Sequence, residues 1–241
     1  MHPLDNPIWQ SLISTHAHFA ETRNSVRKFP HEVSVLAGFP EQSPEHYDSL
    51  FALLQPDERV GLFLQGPPNP HGPWTIVNTG PLLQMLCENW TSSTSAANAN
   101  EKTRETDFIP LTQTDVPEML ALTKLTKPGP FGARTREMGD YFGFRSDGTL
   151  AAMVGERLRL PGYTEISAVC THPDHLGKGY ASELIRMMME RIFNRGELPF
   201  LHVLPQNTRA VQVYERLGFT KRAMLHLAVL RHETEPHAPG P

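Results

Sequence analysis

Residues 164–195 constrain the fold more than any other part of the sequence, because a strand, a glycine-rich turn and a helix follow one another there. A short apolar run with β-branched members predicts the strand, which is broken at His172, Pro173 and Asp174. Gly177 and Gly179 then indicate a tight bend or a close backbone approach. Apolar residues at spacings of three and four predict the helix, namely Ala181, Leu184, Ile185, Met188 and Ile192.

A junction of this kind suits anion binding, since backbone N–H groups at a helix N-terminus can converge on a phosphate. A P-loop would require Gly-x-x-x-x-Gly-Lys-Ser/Thr, and Lys178 lies between two glycines without that spacing. The dinucleotide fingerprint Gly-x-Gly-x-x-Gly is nearly met, with Ser182 in the third glycine's place, but it lies late in the chain. A nicotinamide nucleotide-dependent oxidoreductase is therefore the least favoured alternative.

A third pattern fits best. Residues 176–181 resemble the acyl-CoA pyrophosphate loop of the GNAT superfamily of N-acetyltransferases, Arg/Gln-x-x-Gly-x-Gly/Ala, with Gly179 and Ala181 in the fourth and sixth places. Leu176 stands where Arg or Gln is usual. Residues 207–219, Asn-x-x-Ala-x-x-x-Tyr-Glu-x-x-Gly-Phe, resemble the closing strand–helix unit of the same superfamily. Two motifs in the family's order are far more specific than either alone.

The resemblance implies acetyl-CoA, or another acyl-CoA, as co-substrate and no metal. The strand's outer backbone at Val169 and Thr171 would pair with the pantetheine amides, and Asn207 would contact the pantetheine arm or simply cap a helix. The cofactor-binding residues that the resemblance indicates are Val169, Cys170, Thr171, Leu176, Gly177, Lys178, Gly179, Tyr180, Ala181 and Asn207.

Acyl transfer from a thioester to an amine needs a deprotonated amine and a proton for the departing thiolate. An amine of pKa about 10.4 is almost wholly protonated at pH 7, so a base or a water chain to one is required. Glu165 is the candidate base, because it precedes Leu176 at a spacing similar to that in histone-type members; a surface glutamate is the alternative. Tyr214 is the candidate acid, as the resemblance implies; a core aromatic residue is the alternative.

The resemblance covers residues 108–232 and implies an α/β fold, α+β by some schemes, with a GNAT-like mixed central sheet flanked by helices. Residues 91–107 are small and polar and are predicted to be a linker. Residues 1–90 are predicted to form a smaller α+β region of unknown role, with a helix over 81–90. A packing or substrate-shaping extension without its own ligand is favoured over a degenerate first half similar to that of glycine N-acyltransferase-like proteins. Residues 233–241, rich in Pro, are predicted to be a disordered tail.

Composition limits the partners. The 241 residues are 39% hydrophobic and 20% charged, and a net charge of −4 gives no electrostatic case for nucleic acid or an anionic membrane. Cys87 and Cys170 lie far apart in unlike contexts, which favours reduced thiols. Because neither a signal peptide nor an apolar run of membrane-spanning length is evident, a cytoplasmic protein is expected. His172 and His175 flank a Pro-Asp turn without a carboxylate or cysteine cluster, so no metal is predicted.

The predicted function is transfer of an acetyl or other acyl group from acetyl-CoA to a small-molecule or peptide amine, by direct transfer in a ternary complex. A noncatalytic acyl-CoA-binding or sensing module is the alternative from another class. The resemblance implies an acceptor pocket shaped by residues 128–136 and by the final strands around residues 224–230. Phe131, Arg134 and Arg136 could line it, and either arginine would favour an acceptor that carries a carboxylate. The sequence leaves a homodimer open.

Overall fold

The structure is a computed structural model that describes residues 2–90 and 108–232. The predicted linker (91–107) and tail (233–241) lie outside the described residues. The described chain divides into two compact units, a first unit of residues 2–31, 35–82 and 224–232 and a second unit of residues 32–34, 83–90 and 108–223. This division differs from the predicted one, because the last residues group with the N-terminal part and residues 83–90 group with the second unit.

The described ranges contain five α-helices, α1 (Pro7–Leu12), α2 (Pro44–Phe51), α3 (Val116–Thr126), α4 (Tyr180–Asn194) and α5 (Thr208–Arg216). They also contain eleven strands, β1 (Glu21–Arg23), β2 (Val26–Lys28), β3 (Ala37–Gly38), β4 (Arg59–Leu64), β5 (Trp74–Leu86), β6 (Phe108–Pro110), β7 (Tyr141–Ser146), β8 (Thr149–Leu160), β9 (Tyr163–Thr171), β10 (Leu198–Val203) and β11 (Thr220–His232).

The first unit is a small α+β assembly. Strands β1, β2 and β3 form an antiparallel sheet, and β4 pairs antiparallel with residues 226–231 of β11. Helix α2 begins at Ser43, whose hydroxyl accepts a hydrogen bond from the backbone N–H of His46. Its buried residues Tyr47 and Leu50 pack in one apolar cluster with side chains of β4 and β11.

The helix predicted over residues 81–90 is wrong, because residues 81–86 continue strand β5. Leu82, Leu83, Gln84, Met85 and Leu86 are all buried, so the run is apolar on both faces and lacks the alternation of a half-exposed strand. A short run of this type does not distinguish a buried strand from a helix, and Pro81 was consistent with a first helical turn.

The second unit is built on a mixed sheet in the order β5–β10–β9–β8–β7–β6. Strands β10 and β9 are parallel, and the other neighbouring pairs are antiparallel. Along β8, Ala152 and Val154 belong to the apolar cluster that contains α4, whereas Met153 belongs to the cluster that contains α3. Successive residues of a strand point to opposite faces, so helices cover both faces of this sheet, as the sequence predicts.

Two bulges distort the centre of this sheet. In the first bulge, residues 156–159 of β8 face residues 166–164 of β9, so β8 has one extra residue. In the second bulge, residues 153–155 of β8 face residues 170–167 of β9, so β9 has one extra residue. Ala168, inside the second bulge, has a φ of +51°. As a result Ile166 lies in the α4 cluster, while Ala168 and Cys170 lie against the α3 cluster.

The parallel ladder between β9 and β10 is short. It pairs residues 163–165 with residues 198–200 and then ends, although β9 continues to Thr171 and β10 to Val203. The two strands, which the structure describes throughout, are therefore not joined by a ladder beyond Glu165. This leaves an opening in the sheet between the later parts of β9 and β10.

The close contact between Gly155 and Tyr141 gives a test of the packing. A Cβ atom on Gly155 would lie 2.0 Å from Cε1 of Tyr141, whose ring is buried. We expect Gly155→Ala to lower the free energy of unfolding by about 3 kcal/mol, because the ring must leave its position. Urea denaturation monitored by circular dichroism measures the loss.

Gly66→Ala is the matched control, since a Cβ there would meet no atom within 4 Å. Its stability should change by less than about 0.5 kcal/mol. Equal losses for the two variants would contradict this packing of Tyr141 on β8.

Candidate active site

The glycine-rich loop leads directly into α4. Gly177 and Gly179 have φ values of +79° and +86°, which side-chain-bearing residues rarely adopt, and Gly179 is the N-cap of α4. No atom lies within 4 Å of a Cβ built on Gly177, so this residue is required for its backbone conformation and not for space. Leu176, before the turn, is exposed. The loop therefore presents its backbone on the surface at the positive end of a helix of four turns.

The neighbouring loop residues are held by side-chain contacts. Lys178 Nζ lies 3.1 Å from His175 Nδ1. The ring of Tyr180 stacks on Phe144, with centroids 4.1 Å apart and planes inclined by 28°. Ala181 lies half-buried in the first turn of α4. These contacts fix the start of α4 against the sheet, and they leave a cation next to the glycine-rich turn.

The segment predicted to pair with the pantetheine arm is the part of β9 that follows the bulge at Ala168. Val169 packs against the α4 cluster, and Thr171 lies opposite Ala152 of β8. Cys170 is buried on the other face, and burial raises the pKa of its thiol to about 11. The thiol therefore stays protonated at neutral pH and is a poor nucleophile.

Helix α5 carries the other two predicted residues. Asn207 is the N-cap, and its Oδ1 accepts a hydrogen bond of 3.2 Å from the backbone N–H of Ala210. Tyr214 is half-buried, with its ring centroid 6.0 Å from that of Phe219. Burial raises the pKa of Tyr214 to about 12, so the phenol keeps its proton over the whole physiological pH range.

Glu165 is fully buried and accepts hydrogen bonds from three residues. Arg157 donates through Nε to Oε2 at 2.8 Å and through Nη2 to Oε1 at 2.5 Å, and the backbone N–H of Leu158 donates to Oε2 at 3.3 Å. His202 Nδ1 lies 2.6 Å from Oε1. Burial alone would raise the pKa of this carboxyl, but Arg157 and His202 outweigh it and hold the pKa at about 2.

The hydrogen bonds continue from Glu165 across two more strands. A carboxylate only accepts, so His202 must carry its proton on Nδ1 and accept at Nε2 from the Gln84 side-chain N–H, 3.0 Å away. Gln84 Oε1 in turn accepts from Arg222 Nη1 at 2.7 Å. Burial lowers the pKa of His202, which agrees with a neutral ring. The ring thus has no nitrogen available to act as a base.

This environment argues against Glu165 as the direct base. A carboxylate of pKa about 2 is a weak proton acceptor, and its oxygens are already occupied by Arg157, Leu158 and His202. Sequence spacing selected Glu165 but missed Arg157, His202 and Gln84. The signal available in the sequence was a charged residue inside the apolar run of β8 and a histidine inside the apolar run of β10.

A small pocket lies beside the β9 bulge, within the second unit. Its lining includes Phe131, as predicted, but neither of the two predicted arginines. Arg134 instead makes two hydrogen bonds of 2.8 Å to Glu137, and Arg136 Nε donates to the Leu111 carbonyl. The lining residues are Pro128, Gly129, Pro130, Phe131, Thr135, Tyr141, Arg157, Ser167 and Ala168.

Within the described residues, no group of three or more His, Cys, Asp or Glu side chains is arranged to hold a metal ion. Among the helices that the structure describes, none has the length and apolar character needed to span a membrane.

Comparison with known proteins identifies the family. The FR47-like protein family model matches residues 141–227. The crystal structure of a GNAT-family protein from Novosphingobium aromaticivorans DSM 12444 is 33% identical, with a TM-score of 0.87, and the match covers 97% of this chain and 100% of that one. This chain belongs to the GNAT family of acetyltransferases. The family predicted from the two sequence motifs is thereby confirmed.

Curated GNAT relatives match over shorter stretches. The N-alpha-acetyltransferase RimI of Mycobacterium tuberculosis is 33% identical over 101 residues, which is 39% of this chain and 63% of the relative. The aminoglycoside N(6′)-acetyltransferase type 1 of Klebsiella pneumoniae is 33% identical over 64 residues, which is 26% of this chain and 32% of the relative. The chain therefore matches less than two thirds of the length of these curated relatives.

The buried Glu165 carboxylate gives this GNAT protein a testable pH dependence. Glu165→Gln removes the negative charge that faces the buried Arg157, so the free energy of unfolding at pH 7 should fall by about 3–5 kcal/mol. The pKa of Glu165 is lowered from 4.5 to about 2 on folding, so its stabilisation is complete above pH 4.5 and is lost as the pH falls towards 2. The deficit of the variant should therefore shrink over that window.

Urea denaturation of both proteins between pH 8 and 3 measures the difference. Glu118→Gln is the control, because Glu118 is exposed and pairs with Arg145 at the surface; it should cost less than about 1 kcal/mol. A deficit that stays constant down to pH 3 would show that the charge of Glu165 does not stabilise the fold.

Proposed function

We propose that this protein is an acetyl-CoA-dependent N-acetyltransferase that transfers the acetyl group directly to an amine acceptor in a ternary complex. The observation that carries the proposal is the juxtaposition of the Gly177–Gly179 turn, the N-terminus of α4 and the part of β9 that has left its parallel ladder. The pyrophosphate of an acyl-CoA would bind at the turn and the N-terminus of α4, and the amide groups of its pantetheine arm would pair with β9.

The residues of this site fit such a ligand. The backbone N–H groups of residues 177–181 would hold the pyrophosphate, since the open turn lets it approach and the helix dipole favours its charge. The backbone of Val169 and Thr171 would pair with the pantetheine amides as a further strand would. Asn207 already caps α5 with its Oδ1, so a contact with the arm would come from its amide nitrogen. Bound acetyl-CoA supplies the activated thioester.

Tyr214 is the proposed acid for the departing thiolate. Its pKa of about 12 keeps the phenol protonated, so its O–H donates a hydrogen bond to the negative charge that develops on the sulfur. Complete transfer to a thiolate whose conjugate acid has a pKa near 8.5 is uphill, so the phenol passes on its proton only as it regains one from the amine, which loses a proton in the same reaction. We assign removal of the amine proton to water and not to the Glu165 carboxylate, whose pKa is about 2. Glu165 would then act as a positioning residue that holds Arg157 and His202.

Gly179 tests the cofactor site. Gly179→Val should abolish measurable acetyl-CoA binding in a calorimetric titration, because a β-branched residue at a φ of +86° distorts the turn that carries the N–H groups. Gly196→Val is the matched control, since Gly196 also has a positive φ, +74°, but lies at the other end of α4. It should lose stability and keep acetyl-CoA affinity.

The same titration with NAD in place of acetyl-CoA separates the alternatives. Binding of acetyl-CoA at micromolar Kd without NAD binding supports the acetyltransferase. If NAD binds and acetyl-CoA does not, the proposed function is wrong.

Tyr214 tests catalysis apart from binding. Tyr214→Phe should lower kcat by about 10²-fold and leave the acetyl-CoA Kd unchanged, because only the proton donor is removed. Tyr163→Phe, at the start of β9, should leave both unchanged. Thiol release with a reactive thiol probe measures turnover. An unaltered kcat in Tyr214→Phe would contradict the acid assignment and favour the noncatalytic acyl-CoA-binding module.

A further inference from the structure

We propose that the acceptor is a small amine with a carboxylate next to its amino group, as in a free amino acid, and that Arg157 recognises this carboxylate in the pocket beside the β9 bulge. This inference rests on the proposed function, which it extends to the class of acceptor.

The central observation is that only the cation of a buried ion pair lines the pocket. Arg157 belongs to the lining, with 13% of its side chain exposed, whereas the Glu165 side chain is fully buried and is not part of the lining. Arg157 is therefore the one charged side chain among the nine lining residues, so an anionic or hydrogen-bond-accepting group is favoured beside it.

The guanidinium is held in a fixed orientation. Its Nε and Nη2 donate to the two oxygens of Glu165, and the bulge in β8 directs the Leu158 N–H to the same carboxylate. Two parallel hydrogen bonds fix the plane of the fork, so a substrate group would not need to order a flexible side chain. A charge that is already oriented loses little entropy on binding, which increases its value for specificity.

The rest of the pocket agrees with a compact, anionic acceptor. The nine lining residues, which all belong to the described part of the chain, include no Asp or Glu. Burial raises the pKa of Tyr141, so its hydroxyl is neutral and adds no negative charge. Pro128, Pro130 and Phe131 provide apolar walls. A polycation such as an aminoglycoside would find no carboxylate in the lining to pair with, which is unfavourable.

The pocket also lies next to the strand that would hold the acetyl donor. Ser167 and Ala168 form one wall, and Val169 follows them in the chain. Ala168 lies in the bulge, with a φ of +51°, where β9 changes the face to which its side chains point. An amine whose carboxylate contacts Arg157 would thus lie beside the backbone proposed to bind the pantetheine arm.

Matched acceptor pairs test the inference on the unaltered protein. Thiol release from acetyl-CoA is measured with glycine, alanine and phenylalanine and with the corresponding amino acid amides, and with kanamycin as a polycation. The kcat/KM of each acid should exceed that of its amide by about 10-fold or more, since a carboxylate–guanidinium contact is lost in the amide. The amide has the less basic amine, so its protonation state cannot produce this preference.

Two variants connect the preference to Arg157. Arg157→Lys keeps the positive charge but loses the planar fork, so it should raise KM for the acids and leave KM for the amides unchanged. The double variant Arg157→Met with Glu165→Met removes the pair without leaving a buried unpaired charge, and it should abolish the preference. The preference is a ratio of acid to amide measured on the same variant, so any change in the acetyl-CoA Kd, measured by calorimetry, affects both acceptors alike and leaves the ratio unaltered.

Equal use of acids and amides, or a preference for kanamycin, would overturn the inference while leaving the acetyltransferase proposal intact. If acetyl-CoA binds but none of these amines is acetylated, calorimetric titration of glycine and glycinamide into the protein with bound CoA decides. Weaker or absent binding of glycine overturns the inference. Failure of acetyl-CoA itself to bind is a different result and rejects the proposed function.

Discussion

The buried Glu165 carboxylate is the interaction on which the centre of the second unit depends. It connects β8 through Arg157, β9 through its own backbone, and β10 through His202, with hydrogen bonds of 2.5 to 2.8 Å from the two side chains. Desolvating this charge costs several kcal/mol, and the cost is offset only while every partner is in place. Replacing any one partner leaves a buried polar group unsatisfied, so the three strands are held in one register at the point where the sheet opens.

The opening itself follows from the two bulges. The extra residue on β8 directs Arg157 and the Leu158 N–H towards Glu165. The extra residue on β9 reverses the face of the sheet to which the later side chains of that strand point. Because the β9–β10 ladder ends at Glu165, the ion pair lies at the apex of the opening. The residues that hold the sheet together at Glu165 thus also mark where the opening between β9 and β10 begins.

Two sequence motifs were sufficient for the family, and the resemblance to the family implied the mixed sheet. The glycine turn and the two helices that follow depend on local chemistry: positive φ at Gly177 and Gly179, a cap at Asn207, and apolar periodicity in α4. The error at residues 81–86 has a different origin, since a run buried on both faces shows no period. Arg157 could not be assigned to the pocket beforehand, because its direction depends on a bulge that pairs residues of two strands.

Glu165 shows that the position of a residue in the sequence does not by itself decide its catalytic role. Its place before the glycine-rich loop suggests a general base, but a base must be able to gain a proton near neutral pH, and the partners of a carboxylate decide that. An apolar pocket would raise the pKa of a glutamate towards 7. Here Arg157 and His202 outweigh the effect of burial and lower it to about 2. Arg157, one of the two donors that lower this pKa, also lines the pocket, so the proposed exclusion of Glu165 from proton transfer and the proposed recognition of an anion share one physical cause, the Arg157–Glu165 ion pair.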